Sequence, residues 1–212
     1  MKHLLLAASL LVAIPALAQT GSLTLHLYAG AHLSVQTGQP FNEYSSARFG
    51  PALTVGAQLK PRVALQVSSA YTWRHGTYHD SYTANGQLVL NDYDTRLHTF
   101  TVPILVRATV LQAAGRWHVD ALGGPTLLVY VTRQTYQQTV QGQVTRDGTD
   151  QHADTQAMLT LGPSVRYTLT PRLELVADAL ANLYLAGLPY GAPLSSQLSS
   201  HLLMGLYYRF GQ

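Results

Sequence analysis

Ser199, Ser200 and His201 bring hydroxyl nucleophiles and an imidazole base within three residues of one another. Hydrolytic or acyl-transfer chemistry also needs an acid that orients the imidazole. Ser199 and His201 share a face if the segment is a strand, but no motif positions an acid beside them. Two other groups carry metal-ligating types: His75, His79 and Asp80, and then Asp147, Asp150, His152 and Asp154. Histidine pairs suit zinc and clustered Asp suits calcium. Neither group has the spacing of a closed ligand set, and polar connecting segments carry such residues anyway. The expectation is an enzyme-free chain with no catalytic, cofactor-binding or metal-binding residue.

The remaining chemistry is electrostatic. Arg48, Arg74, Arg107, Asp120, Arg166, Glu174, Asp178 and Arg209 are scattered along the chain, yet each falls on the polar side of an alternating segment. If those sides face one narrow interior, charges of both signs must pair there, because an unpaired buried charge is very costly. A structural ion-pair network is therefore expected over a conducting path. Neighbouring segments make Arg166 with Glu174 or Asp178, and Arg107 with Asp120, geometrically sensible pairs.

The elements that position these residues read as strands. Period-2 alternation of apolar and polar residues recurs near 23–35, 46–59, 62–76, 95–111, 116–133, 154–169, 172–186 and 197–210. The fourth segment is the clearest: His98, Phe100, Val102, Ile104, Val106 and Val110 oppose Thr99, Thr101, Leu105, Arg107 and Thr109. The fifth is ambiguous, since Gly123-Gly124-Pro125 interrupts it and a bulge there would switch its phase. Pro51, Pro103, Pro125 and Pro163 each remove a ladder donor and imply local irregularity. Short turns at Lys60-Pro61, Gln112 to Gly115 and Thr170-Pro171 alternate with long connections near Gln36–Ala47, Gly76–Asp94, Gln134–Ala153 and Gly187–Ser196.

That short-long alternation is the wiring of a transmembrane β-barrel, with tight periplasmic turns and longer outer loops. The polar faces hold Gly, Ser, Thr, Gln and Ala with few charges, a poor exterior for water. The apolar faces carry more Leu and Val than an eight-strand lumen could take, so they point to lipid. Charged residues are only 11% of the chain, against roughly 25% in soluble domains. Trp117, Tyr167, Tyr208 and Phe210 lie near the short turns, whereas Phe49, Tyr71, Trp73 and Phe100 lie near the long connections. Two such aromatic girdles are expected where rings meet headgroups.

The first eighteen residues read as a signal peptide, with Lys2 and His3, an apolar run from Leu4 to Ile14, and Ala16-Leu17-Ala18 as a cleavage site. The barrel domain is then 19–212. Losing Lys2 leaves twelve basic against ten acidic residues, too little charge to argue for nucleic acid. Cysteine is absent, so backbone ladders rather than disulfides must hold the exported chain.

Phe100 to Arg107 in the fourth segment, Gly124-Pro125, Leu161-Gly162-Pro163 and the Leu-x-Pro-Arg turns at Leu59–Arg62 and Leu169–Arg172 carry a resemblance. In these the chain resembles the outer-membrane β-barrel domain family common in Bacteroidetes, described as porin-like or PorT-like. The resemblance implies an outer-membrane β-barrel over essentially the whole mature chain and says little about activity. The terminal Leu206 to Phe210 looks like the signal by which barrel-assembly machinery recognises clients, although Gly211-Gln212 follow it.

The fold expected is all-β: an eight-stranded antiparallel up-and-down transmembrane barrel, monomeric, in a Gram-negative outer membrane with both termini periplasmic. The expected partners are outer-membrane lipids, the assembly machinery and an extracellular ligand of the long loops, where Tyr78, Tyr82, Tyr93, Tyr136 and Tyr190 lie among small polar residues. The expected function is a non-enzymatic structural or surface-binding role. A small-solute channel and a membrane-embedded lipid A-modifying enzyme are the alternatives.

Overall fold

The computed structural model describes residues 26–38, 47–112, 115–185 and 198–210. The expected signal peptide, Tyr190 and the connection at 187–196 lie outside them, as does most of the connection at 36–47. The described residues form eight strands: β1 (His26–Gly38), β2 (Arg48–Lys60), β3 (Val63–Ala84), β4 (Gln87–Gln112), β5 (Trp117–Val140), β6 (Gln143–Thr170), β7 (Leu173–Tyr184) and β8 (Leu198–Arg209). Each pairs antiparallel with the next, and β8 returns to β1 from Tyr28↔Arg209 to Gly38↔Ser199, so the sheet is a closed barrel with no helix among the described residues.

Side-chain parity determines which solvent each residue meets. On β4 the odd positions Thr99, Thr101, Leu105 and Arg107 are buried, while Ile104 and Val106 are exposed. The same alternation turns Leu53, Leu65, Leu161, Leu175, Leu202 and Met204 outward. An exterior ring of bare aliphatic side chains is stable only where the surrounding solvent is hydrocarbon. A closed ladder is one of two structures that can cross it with every backbone group paired. Aromatic contacts bound this band. At the short-turn end Trp117 packs on Tyr167 at 4.7 Å and Tyr208 on Phe210 at 5.1 Å. At the far end Tyr71 packs on Phe100 at 4.8 Å and stacks on Trp73 at 5.7 Å.

The short turns are locally encoded. At the β6–β7 turn, the Thr170 hydroxyl accepts the amides of Arg172 and Leu173 at 3.3 and 3.1 Å, while Pro171 presets the bend. Register shifts lie between Gln58 and Lys60, Thr109 and Leu111, and Thr168 and Thr170 beside the short turns, and between Gln138 and Thr139 near the opposite end of β5.

Two expectations change. The fifth segment has no phase switch at its glycines: pairing runs in step through Gly123 and Gly124 on the β6 side, and the β4–β5 shift lies at Thr109/Leu111. Leu122, Leu128 and Tyr130 therefore face inward, and Trp117, Ala121, Pro125 and Leu127 outward. Gly124 serves a close approach instead, since a Cβ there would collide with the Ile104 carbonyl.

The second change is larger. The expected loops at 76–94 and 134–153 are strands, continuing β3–β4 and β5–β6 to the tight turns Asn85-Gly86 and Gln141-Gly142. All four turn residues have positive φ, at 51° and 75° and at 51° and 80°, the signature of the type I′ turn whose twist matches a hairpin. Because β4 and β5 stay paired out to Val89↔Val140, the two hairpins form one four-stranded sheet. It rises about ten residues beyond Arg48 on the opposite side, roughly 33 Å of strand.

The boundary between lipid and water is testable. Ile104→Arg, in the middle of the apolar band, should lower the unfolding free energy by about 2–4 kcal/mol. Leu88→Arg, outward on the extension, should stay within about 0.5 kcal/mol of wild type. Urea titration of the protein folded in vesicles measures both.

Candidate functional site

The lumen near the short turns holds a chain of ion pairs. Arg107 (β4) reaches across the barrel with every nitrogen used. Its Nε donates to Gln66 at 2.9 Å, one terminal nitrogen to Asp120 at 2.9 Å and Ser164 at 3.2 Å, and the other to Tyr207 at 3.0 Å and Asp178 at 3.4 Å. Asp120 (β5) bridges two guanidiniums, because Arg166 (β6) donates to its two oxygens at 2.5 and 3.0 Å. Arg166 also meets Glu174 (β7) at 3.1 Å, and Arg209 (β8) closes the series on Glu174 at 2.5 Å. Three guanidiniums thus face three carboxylates in a group that is buried apart from the half-buried Arg209. Arg48 and Arg74 also face inward, but they lie at the far end of the lumen, away from this chain of pairs.

Side-chain partners that spacing alone did not single out complete the group. Tyr207 and Tyr28 pack at 5.0 Å, Tyr28 donates to Gln66 at 3.2 Å, and the Arg107 guanidinium lies 5.2 Å over the Tyr207 ring. Tyr207 has the parity of His201 and Arg209, which is the signal that marks it as inward.

Above the ion pairs buried apolar side chains interleave with hydroxyls, amides and imidazoles. Ala52, Ala70, Leu105, Leu122, Leu180 and Leu203 form one buried cluster; Leu97, Leu128, Tyr130, Met158 and Tyr184 form another nearer the far end. Hydroxyl and amide pairs line the wall between them, including Thr126–Thr160 at 2.6 Å and Thr160–Asn182 at 2.7 Å. The hydrolytic candidates are dispersed here. Ser200 faces outward and bonds Thr37 at 2.6 Å, Ser199 accepts from Asn182 at 3.2 Å, and His201 instead meets Ser34 of β1 at 2.7 Å. Among the described residues no carboxylate contacts that Ser34–His201 pair, and both side chains are buried.

The four-stranded extension carries a second constellation. Its inner face continues the lumen parity, and Tyr78, Tyr93 and Tyr136 stand side by side on β3, β4 and β5 with Gly148 next on β6. Tyr78 stacks on Tyr93 at 6.1 Å, and the Arg146 guanidinium lies 5.6 Å over Tyr136. The Tyr136 ring covers Gly148, where a Cβ would strike it. Gln138 donates to Asn91 at 3.1 Å. Asn91, Tyr93, Gln134, Tyr136, Gln138 and Arg146 are among the residues lining a cavity of about 290 Å³ on this face.

The metal-ligating types do not converge. His75 bonds Asp94 at 3.0 Å and His79 bonds Asp92 at 2.6 Å, both on the outer face of the extension, while Asp80 faces inward. The hydrogen bond from His75 holds the Asp94 carboxyl below the usual carboxylate range. Asp150, His152 and Asp154 are strung along the inner face of β6 with Asp147 on the outer face, and Tyr130 donates to Asp154 at 2.8 Å. Among the described residues no three His, Asp or Glu side chains could share a metal ion.

Asp120 is the member of the ion-pair chain whose loss exposes most. Asp120→Ala leaves Arg107 and Arg166 short of a carboxylate inside the lumen and should cost about 3–5 kcal/mol of stability. Adding Arg107→Leu should recover part of that loss, because the orphaned charge is then removed. Urea midpoints in vesicles report both, and an Asp120→Ala variant as stable as wild type would contradict the pairing.

Comparison with known proteins agrees with this architecture. No curated protein matches the sequence. Among solved structures, a major outer membrane protein from Thermus thermophilus aligns with a TM-score of 0.52 at 16% identity, over 88% of this chain and 100% of that one. The attachment invasion locus protein Ail of Yersinia pestis aligns over 88% of this chain and 97% of its own at 12% identity, with a TM-score of 0.44. OprG from Pseudomonas aeruginosa aligns at 8% identity and a TM-score of 0.42, over 89% and 96%. A family model described as outer membrane protein beta-barrel domain matches residues 17–183. The chain is therefore an integral protein of the outer membrane and belongs to the outer membrane protein beta-barrel domain family.

Proposed function

We propose that this barrel is a non-enzymatic surface receptor or adhesin that binds carbohydrate chains on the inner face of its extracellular sheet. The observation that carries the reading is the row Tyr78–Tyr93–Tyr136, flanked by Asn91, Gln134, Gln138 and Arg146. Tyrosine offers a large rigid face with a polar tip and little rotamer entropy to lose, and amide side chains supply adaptable hydrogen bonds. Sugar rings present apolar C–H faces for stacking and hydroxyls for such donors and acceptors. A shallow cleft of about 290 Å³ is just below the usual range for small-ligand pockets, and suits one or two rings of a longer chain.

The alternatives find less support. A solute path would have to pass the apolar clusters around Leu105 and Leu128 and the ion pairs of Arg107. A hydrolytic site would have to work from the Ser34–His201 pair, buried in the lumen with no acid beside it among the described residues.

Fluorescently labelled full-length protein in detergent, applied to an array of immobilised oligosaccharides, tests the proposal. Wild type should bind a chemically related subset, and Tyr93→Ser with Tyr136→Ser should weaken that binding at least tenfold while the folded barrel keeps its heat-modifiable gel mobility. Absence of binding to any glycan, or equal binding by the double variant, would refute it.

A further inference from the structure

The outer face of the same sheet, opposite the tyrosine row, has a separate organisation. His75, Arg96, Arg133 and Gln151 are cross-strand neighbours on β3, β4, β5 and β6, through the registers His75↔Arg96, Arg96↔Arg133 and Arg133↔Gln151. All four are exposed. Two arginines directly opposite each other repel, and like charges in that position destabilise a strand pair. Among the described residues the carboxylate that reaches this row is Asp94, 3.6 Å from Arg96 and already bonded to His75. Arg133 has no carboxylate within ion-pair distance among those residues.

The height of this row is informative. One step toward the barrel on the same face lies the row Trp73–His98–Val131, and one step further Tyr71–Phe100–Val129. Tyr71 stacks on Trp73 and His98 and bonds His98 at 2.6 Å, making a continuous aromatic patch. Each step is about 6.6–6.8 Å along a strand, and aromatic belts mark the headgroup level. One step above the arginines the face becomes acidic, with Asp94 and then Asp92 and Asp147. The basic row is therefore confined to the layer just outside the girdle, where lipid phosphates sit.

We propose that Arg96 and Arg133, with His75 beside them, form a binding site for the phosphate of an outer-leaflet lipid headgroup. Two guanidiniums side by side can each give a pair of parallel hydrogen bonds to phosphate oxygens, and the shared anion relieves their repulsion. The lipid's acyl chains then lie along Ile104, Leu127 and the neighbouring apolar side chains, with its head against Trp73. This site is independent of the carbohydrate reading because it lies on the opposite face.

Binding of diphosphoryl lipid A to the full-length protein in neutral detergent, followed by native mass spectrometry, reads the site. Wild type should retain bound diphosphoryl lipid A, and Arg96→Ala with Arg133→Ala should reduce its apparent affinity at least tenfold. Dephosphorylated lipid A should bind wild type as weakly as diphosphoryl lipid A binds that variant. Arg116→Ala with Arg172→Ala, which removes the same charge at the periplasmic end, should keep wild-type binding. Equal binding by wild type and the Arg96/Arg133 variant would overturn the site. An equal loss in the Arg116/Arg172 variant would reduce it to net charge. Competition by millimolar inorganic phosphate as effective as by lipid A would assign it to a soluble anion instead of a lipid.

Discussion

Every backbone N–H and C=O that enters hydrocarbon must find a partner inside the protein, and the β1–β8 ladder is where this chain meets that requirement. Pairing from Tyr28↔Arg209 to Gly38↔Ser199 removes the two edges an open sheet would leave in lipid. Once eight strands close, little else is free. The lumen of such a barrel is just wide enough for side chains to fill, so each inward residue must pack or pair with another. Each outward residue must tolerate lipid, which is why Leu and Val recur among the outward positions.

Closure also explains why charge appears in so narrow an interior. Arg107 spans the lumen and touches side chains from β3, β5, β6, β7 and β8. A guanidinium with that many fixed partners ties distant strands to one register, in a barrel whose wall shifts register beside its short turns. Apolar residues of equal volume could be as stabilising, so the ion pairs are better understood as fixing an arrangement than as adding net stability. Above them, apolar clusters interleaved with hydroxyls and amides occupy the rest of the lumen.

Much of the wall is legible in the alternation. Val106 and Arg107 differ by one position and therefore by solvent, and the same parity places Asp120, Glu174 and Asp178 away from lipid. Partner choice is legible only in part: strand adjacency suggests Arg107 with Asp120 and Arg166 with Glu174. Asp178 reaching Arg107 and Asp120 shared with Arg166 depend on how far the strands are staggered around the barrel. The extension is hidden for a different reason. Both faces of residues 76–96 and 133–152 are wet, so Thr, Tyr, Gln and Asp occupy alternate positions without any apolar contrast to reveal a period of two. Asn85-Gly86 is the strongest local hairpin signal available, but it sits inside a stretch whose polarity looks like a loop. The fifth strand misleads in the opposite sense. Its Gly123-Gly124 resembles a bulge, whereas Leu122, Leu128 and Tyr130 stay inside because pairing keeps step through the glycines and apolar clusters in the lumen receive them.

Both proposed contacts lie on the four-stranded extension, one on each face, and the proposed function makes the barrel beneath a closed support. That division depends on the lumen being filled. Planar-bilayer recording of the purified, folded wild-type protein tests it most directly: no stable unit openings are expected at any applied voltage that leaves the bilayer intact. Reproducible conductance steps of a single size would contradict the account, since ions would then pass Arg107 and the apolar layers above it.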